Sequence, residues 1–275
     1  MRTKDDLGTR MKEFYESVPK TKLMRRTPVI IRVDGKAFHT FTRGLKKPFD
    51  EILMTAMQDT TKYLCENIQG CVCGYVQSDE ISLILRDDFT LESSAWFDYE
   101  VQKMCSIAAS MATFAFNKAF AARVKEWMDD FYERWNITPS DKEYALTLQK
   151  CVEKGAMFDA RCFNIPREEA ANYIYWRQLD AIRNSVQMVG HAYFSQKELH
   201  SKSCEEIKEM LLHQEGIDWE GLENDKKCGA FCIRKGFTDE ADGRLVIHHK
   251  WTVDHESPVI KGDDREYIEH LVEVE

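Results

Sequence analysis

The apolar run Ile30-Ile31-Arg32-Val33 ends on Asp34-Gly35, and a second acid, Asp79, sits in Ser78-Asp79-Glu80 between two further apolar runs. Carboxylates at strand ends, a glycine that permits close backbone approach and cations nearby make a hard oxygen site for phosphate chemistry. Mg²⁺ takes oxygen ligands and keeps waters and phosphate oxygens in its shell. Two such ions can clamp the attacking and leaving oxygens of a phosphoryl displacement. Asp34, Asp79 and the Gly35 carbonyl are the candidate ligands. Lys36, His39 and Arg43 follow Asp34 closely, and the amides of Ala37, Phe38 and His39 could cradle a triphosphate. Taken singly, each feature has a plainer reading: Asp-Gly as a turn, Ser-Asp-Glu as a hairpin tip, His39 as a hydrogen-bonded structural histidine.

The two acids are 45 positions apart (79 − 34), so the fold must unite them. Residues 28–33 read as a strand buried on both faces. Residues 49–68 carry apolar positions at three-to-four spacing and read as a helix. "CVCGYVQ" and "ISLIL" read as a hairpin around the short polar turn. Residues 99–127 form a long helix, small and apolar at its centre. "AMFDARCFNI" is a fourth strand, and Pro166 opens a second long helix that Gly190 stops. The order strand, helix, strand, strand, helix, strand is the ferredoxin-like βαββαβ pattern of an α+β fold. In that topology the first and third strands are antiparallel neighbours, which sets Asp34 beside Asp79.

Residues 1–190 are assigned to this palm-like unit, with an insertion near 128–155 marked by the turn signal Thr138-Pro139-Ser140-Asp141 and a short helical run. Residues 191–275 are assigned to an extension packed on the palm. It is helical around "SCEEIKEMLLHQ", then forms a two-stranded surface β-ribbon joined by "TDEADG". The ribbon histidines His248, His249 and His255 could bind metal, although a plain ribbon is the simpler reading.

Composition narrows the classes. The chain has 275 residues, 43% of them hydrophobic, a net charge of −9 and nine cysteines. No apolar run approaches the roughly 18 residues that span a bilayer, and the N-terminal residues lack the apolar core of a secretory signal. Reduced thiols in the cytoplasm are expected, and without a C-x-x-C pair no zinc site is expected. The cations cluster between Lys20 and Lys47, where Asp34 is the only acid, so one basic face on an acidic protein can hold polyphosphate.

"RVDGKAFHTFTR", "GYVQSDEISLIL", "FDARCF" and "YWRQLDAIRNS" resemble the signatures of the tRNA-His guanylyltransferase superfamily, in the same order and over most of the chain. That family resembles polymerase palms and nucleotide cyclases and adds nucleotides in the 3′-to-5′ direction. The resemblance implies two Mg²⁺ ions held by Asp34, Gly35 and Asp79. It implies nucleotide contacts from the loop Lys36, Ala37, Phe38 and His39, and from Lys103. Ser78 and Glu80 flank the metal acid, and Asp50 matches an acid near the base. Arg161 and Lys202 match positions used for transfer or tRNA contact. ATP, GTP and tRNA are the implied partners, and a homotetramer built as a dimer of dimers the implied assembly.

Two departures stand out. Members dedicated to tRNA-His carry His-Ile-Asn-Asn where this chain has Ala181-Ile182-Arg183-Asn184, and a family arginine is replaced by Glu100. The first departure resembles the Thg1-like branch, whose members rebuild truncated tRNA 5′ ends by base pairing. Arg183 could replace a lost cation or lie on the helix surface. Addition of one G to tRNA-His, another palm nucleotidyltransferase such as a cyclase, and a non-catalytic RNA-binding module are the competing functions.

Overall fold

The computed structural model describes residues 6–241 and 244–273. A short helix α1 (Asp6–Met11), continued by a π turn to Glu16, buries none of its residues. Strand β1 (Val29–Gly35) is enclosed over Val29, Ile30, Ile31 and Val33, while Arg32 and the acidic end, Asp34 and Gly35, are partly exposed. A one-turn helix α2 (Phe38–Phe41) follows at once, where the sequence predicts only a loop. Helix α3 (Glu51–Asn67) starts after Asp50, its N-cap. Strands β2 (Cys71–Gln77) and β3 (Glu80–Leu85) form the predicted hairpin, turning through Ser78 and Asp79 alone.

Helix α4 (Val101–Glu133) is longer than its sequence pattern predicts, and its buried Ala108, Ala112 and Ala115 let it lie close to the sheet. The insertion is a full helix, α5 (Pro139–Lys154), started by a Thr138–Asp141 capping box with proline at its first position. Strand β4 (Phe158–Asn164) and helix α6 (Arg167–Tyr193) complete the predicted order. Gly190 does not stop α6; it lies within the helix, where a Cβ would come 2.9 Å from Ile207. The glycine admits a neighbouring helix instead.

The strands lie in the order β4-β1-β3-β2, all antiparallel, as the βαββαβ order requires. Alternate residues divide the core. Ile31, Val33, Ile81 and Leu83 pack under α3, α4 and α5. Ile30, Ile84 and Tyr75 face α6. Beyond α6 come α7 (Gln196–Leu199), α8 (Cys204–Met210) and α9 (Asn224–Cys228). The first two pack on the C-terminal half of α6 through Val186, Val189, Leu199 and Ile207.

Strands β5 (Ala230–Ala241) and β6 (Arg244–Asp254) correct the ribbon reading. β5 pairs with β2, so the ribbon extends the sheet to six strands among the described residues rather than lying on the surface. Its turn residues Asp242 and Gly243 lie outside the described residues. Helix α10 (Glu266–Val272) covers the α6 face through Ile268 and Val272. No described helix is long and apolar enough to cross a membrane.

Candidate active site

Register unites the acids. Asp34 stands opposite Glu80 on β3 and opposite Asp159 on β4. The Gly35 amide donates to the Asp79 carbonyl at 3.1 Å, tying the end of β1 to the hairpin turn. Ser78 takes a left-handed φ of 50°, unusual for a side chain that is neither Gly nor Asn, and this tight turn aims Asp79 back over β1. A Cβ at Gly35 would lie 2.8 Å from Asp79 Oδ2 and 2.3 Å from the Phe38 ring.

Burial pushes the Asp79 carboxyl up to about 6, and the charge of Asp34 pushes the same way. The Ser78 hydroxyl, 3.1 Å from Oδ1, opposes the shift. Two carboxylates crowded over a glycine backbone fit a divalent cation with hard oxygen preference. Asp34, Asp79 and the Gly35 carbonyl would hold it. Gly35→Ala is therefore expected to displace Asp79 or Phe38 and lower activity by about 100-fold or more, while circular dichroism stays native. Activity within a few-fold of the parent would show that the close approach at Gly35 is not needed.

The loop after β1 is anchored from below. Phe38 is buried against Phe41, Phe116 and Phe158, so its side chain is core and only its backbone is free to meet a ligand. Ala37 takes a left-handed φ of 52° and gives α2 no side-chain cap. The first-turn amides of Phe38 and His39 thus have no intrahelical acceptor. Lys36 and His39 are exposed, and the Lys36 amide donates to the Met157 carbonyl at 2.8 Å.

Glu80 turns away from solvent. It is 7% exposed and takes two hydrogen bonds from Arg177, at 2.7 and 2.9 Å, with Arg32 at 3.9 Å. Arg177 also donates to Asp180 at 2.9 Å. This forked pair locks α6 onto the end of the sheet that carries the acids. Sequence reading missed Arg177, although its spacing from Tyr173 and Ala181 on one helix face was available as a signal.

Asp50 is a latch. It is 3% exposed and accepts from the amides of Leu53 (3.1 Å) and Lys46 (2.9 Å) and from the Tyr144 hydroxyl (2.7 Å). The hydrogen bond from Tyr144 joins the β1–α3 loop to α5, and burial together with Asp50 holds that phenol protonated. Asp50→Ala loses a helix cap and strands two donors, so a loss of about 2–4 kcal/mol is expected by denaturant unfolding. A change under 1 kcal/mol would mean that the latch is dispensable.

A cleft of ≈ 910 Å³, including its open mouth, borders this latch. Its walls include Lys46, Asp50, Gln77, Ser78, Ala181 and Asn184. It therefore runs from Ser78, at the turn that carries Asp79, to α6. Of the departing motif, Ala181 and Asn184 face this cleft, whereas Arg183 is exposed and pairs with Asp180.

The remaining predicted residues divide. Arg161 joins the site, with Nη2 2.8 Å from Asp159 and 3.9 Å from Asp34. Lys103 does not join it: it stands in the first turn of α4 with its ammonium 4.7 Å from the Phe97 ring centroid. Thr113, ten residues further along α4, is the residue that meets Phe158 beside the acids, at 3.2 Å. Ten residues of helix separate Lys103 from that level by roughly 15 Å. Lys202 pairs with Glu206 at 3.1 Å on the C-terminal helices. His255 bonds Asp225 at 2.9 Å, and His248 and His249 are exposed. No group of three potential metal ligands occurs among the described residues.

The chain as a whole has counterparts. The tRNAHis guanylyltransferase family pattern matches residues 8–166. A tRNA(His) guanylyltransferase of Debaryomyces hansenii is 26% identical over 234 residues, 80% of this chain and 78% of that protein. One from Kluyveromyces lactis is 25% identical, over 78% and 85% of the two chains. A bacterial Thg1-like protein solved in complex with ATP superposes with a TM-score of 0.77 at 37% identity, over 98% of this chain and 99% of that one. A bacterial Thg1-like structure in complex with GTP gives 0.73 at 36% identity, over the same shares. The family pattern over more than half of the chain and the near-full-length structural match show that the chain belongs to the tRNA-His guanylyltransferase family of nucleotidyltransferases.

Proposed function

We propose that this protein adds nucleotides in the 3′-to-5′ direction to the 5′ end of truncated tRNA, choosing each by pairing with the opposing strand. The observation that carries the reading is the Asp34–Asp79 pair beside the cleft, in a chain 37% identical to a bacterial Thg1-like protein over nearly its whole length. Complexes of such proteins with ATP and with GTP support both nucleotides as substrates here.

Two Mg²⁺ ions, when bound by Asp34, Asp79 and the Gly35 carbonyl, would neutralise phosphate charge and lower the pKa of a coordinated hydroxyl. The residues of the chain orient the reactants. The amides of Phe38 and His39 would accept a triphosphate, aided by the charges of Lys36 and His39 when protonated. The base would enter the cleft bordered by Asp50 and Asn184. Arg161 would meet the RNA 5′ phosphate, a reading supported by its position 3.9 Å from Asp34. Lys103 would serve only phosphates that extend along the β4 edge, and Lys202 a more distant part of the tRNA.

A 5′-monophosphate end would first react with ATP, forming a 5′–5′ adenylylated end and releasing pyrophosphate. The 3′-hydroxyl of the incoming nucleotide would then attack the activated phosphate and expel AMP. The fungal relatives favour a second reading, a single G added to tRNA-His. The homotetramer implied by the resemblance would offer cover for the exposed Leu7, Phe14 and Val18 of the N-terminal arm, and light scattering counts its chains. The direct test of function is purified protein with Mg²⁺, ATP, GTP and a tRNA lacking its first nucleotide. Extension by one paired nucleotide supports repair; extension of full-length tRNA-His alone supports the second reading.

A further inference from the structure

Two thiols that nucleotide transfer does not use meet at the edge of the sheet. Cys105 on α4 and Cys162 on β4 place their sulfurs 3.6 Å apart. Both residues are partly exposed and neither is in a disulfide. We infer that Cys105 and Cys162 are an oxidation site, closing reversibly to an intramolecular disulfide when the protein meets a peroxide.

The geometry requires little movement. A disulfide needs its sulfurs about 2.05 Å apart, so side-chain rotation of about 1.5 Å closes the gap. Cys65 also lies against other thiols, Cys71 and Cys232, but Cys65 and Cys232 are 3% and 1% exposed, where peroxide has no approach. Cys162 packs against the core with its thiol 3.8 Å from the Val101 carbonyl, and burial pushes that thiol up; Cys105, on the helix side of the pair, is therefore assigned as the thiol that meets peroxide first. Its thiolate attacks one peroxide oxygen; the S–O bond forms, the O–O bond breaks, and the departing hydroxide takes a proton to become water. The Cys162 sulfur then displaces the sulfenic hydroxyl. The S–S bond forms, the S–O bond breaks, and a second water leaves with the Cys162 proton. Two thiols lose two electrons to one peroxide.

The link would fix β4 to α4. β4 is an outer strand, with β1 as its one neighbouring strand among the described residues, and Arg161 immediately precedes Cys162. The closed loop spans 57 positions, long enough to raise the melting temperature by about 5 °C.

The test treats reduced full-length protein with hydrogen peroxide and maps its peptides without reduction. The expected result is a linked pair of peptides carrying Cys105 and Cys162, with a melting temperature about 5 °C higher that dithiothreitol reverses. Cys105→Ser should lose both the link and the rise. Cys162→Ser should leave a sulfenic acid at Cys105 that dimedone traps. Both thiols remaining alkylatable while other residues oxidise would overturn the inference, as would a rise that persists in Cys105→Ser or absence of the dimedone adduct in Cys162→Ser.

Discussion

Asp34→Ala and Asp79→Ala are each expected to reduce nucleotide addition by at least about 1,000-fold and to leave the circular dichroism spectrum native. The expected size follows from the charge that accumulates when a phosphate is transferred, since metal-held clamps stabilise it by several kcal/mol. Neither side chain is needed for the core: Asp34 and Asp79 sit at a strand end and in a turn, both partly exposed. Asp79 is expected to oppose folding when no cation is present. Its folded pKa of about 6 lies above the ordinary carboxylate value of 3.8. Its contribution is therefore favourable below about pH 4 and is lost as the pH rises through about 6. Metal-free Asp79→Asn at pH 7 should then be more stable than the parent by roughly 2 kcal/mol, an advantage that Mg²⁺ added to the parent offsets. Single-turnover assays on a tRNA lacking its first nucleotide measure the first effect, and thermal unfolding from pH 4 to 8 measures the second. Turnover within about ten-fold of the parent in either alanine variant would remove these acids from the catalytic centre.

Much of this site was legible because strand order is a local-pattern problem with few solutions. Buried β1, a hairpin with a short polar turn and the helices between the strands left one common topology, and that topology put Asp34 beside Asp79. What stayed hidden depends on side-chain direction and on length. Glu80 reads from sequence as a neighbour of the metal acid, but alternation along β3 turns it under α6, where Arg177 meets it at 2.7 Å. Asp50 reads as a base contact, yet its carboxylate accepts three hydrogen bonds within the fold. Lys103 is on the predicted helix, but the helix runs so far along the sheet that its first turn and Thr113 lie at different levels. The pairing of β5 with β2 is a contact between distant segments of the chain, which no periodicity within either strand encodes.

Changing the opposing base from C to A in a tRNA that lacks its first G should switch the required nucleotide from GTP to UTP, with about 100-fold discrimination against GTP. The motif on α6 gives the physical reason. Where tRNA-His-dedicated members place a histidine, this chain has Ala181, whose methyl lines the cleft, and Arg183 turns outwards to Asp180. Of the four motif residues, Ala181 and Asn184 reach the cleft wall, so at the position of the family histidine the protein presents a methyl group with no donor or acceptor to read a base. On the proposed reading, the opposing strand would supply the discriminating donors and acceptors. A mismatched nucleotide leaves polar edges unpaired, and two such edges at 1–3 kcal/mol each account for roughly 100-fold or more. The same logic fixes the energy source. A 5′-triphosphorylated tRNA already carries a leaving group and should extend without ATP, whereas a 5′-monophosphate should need it. Single-turnover rates with each of four nucleotides against each opposing base give a sixteen-value matrix, and pairing should place its large values on the diagonal. A single large row for GTP, whatever the opposing base and confined to full-length tRNA-His, would mean that a protein pocket selects the nucleotide and that Ala181 does not mark a template-reading enzyme.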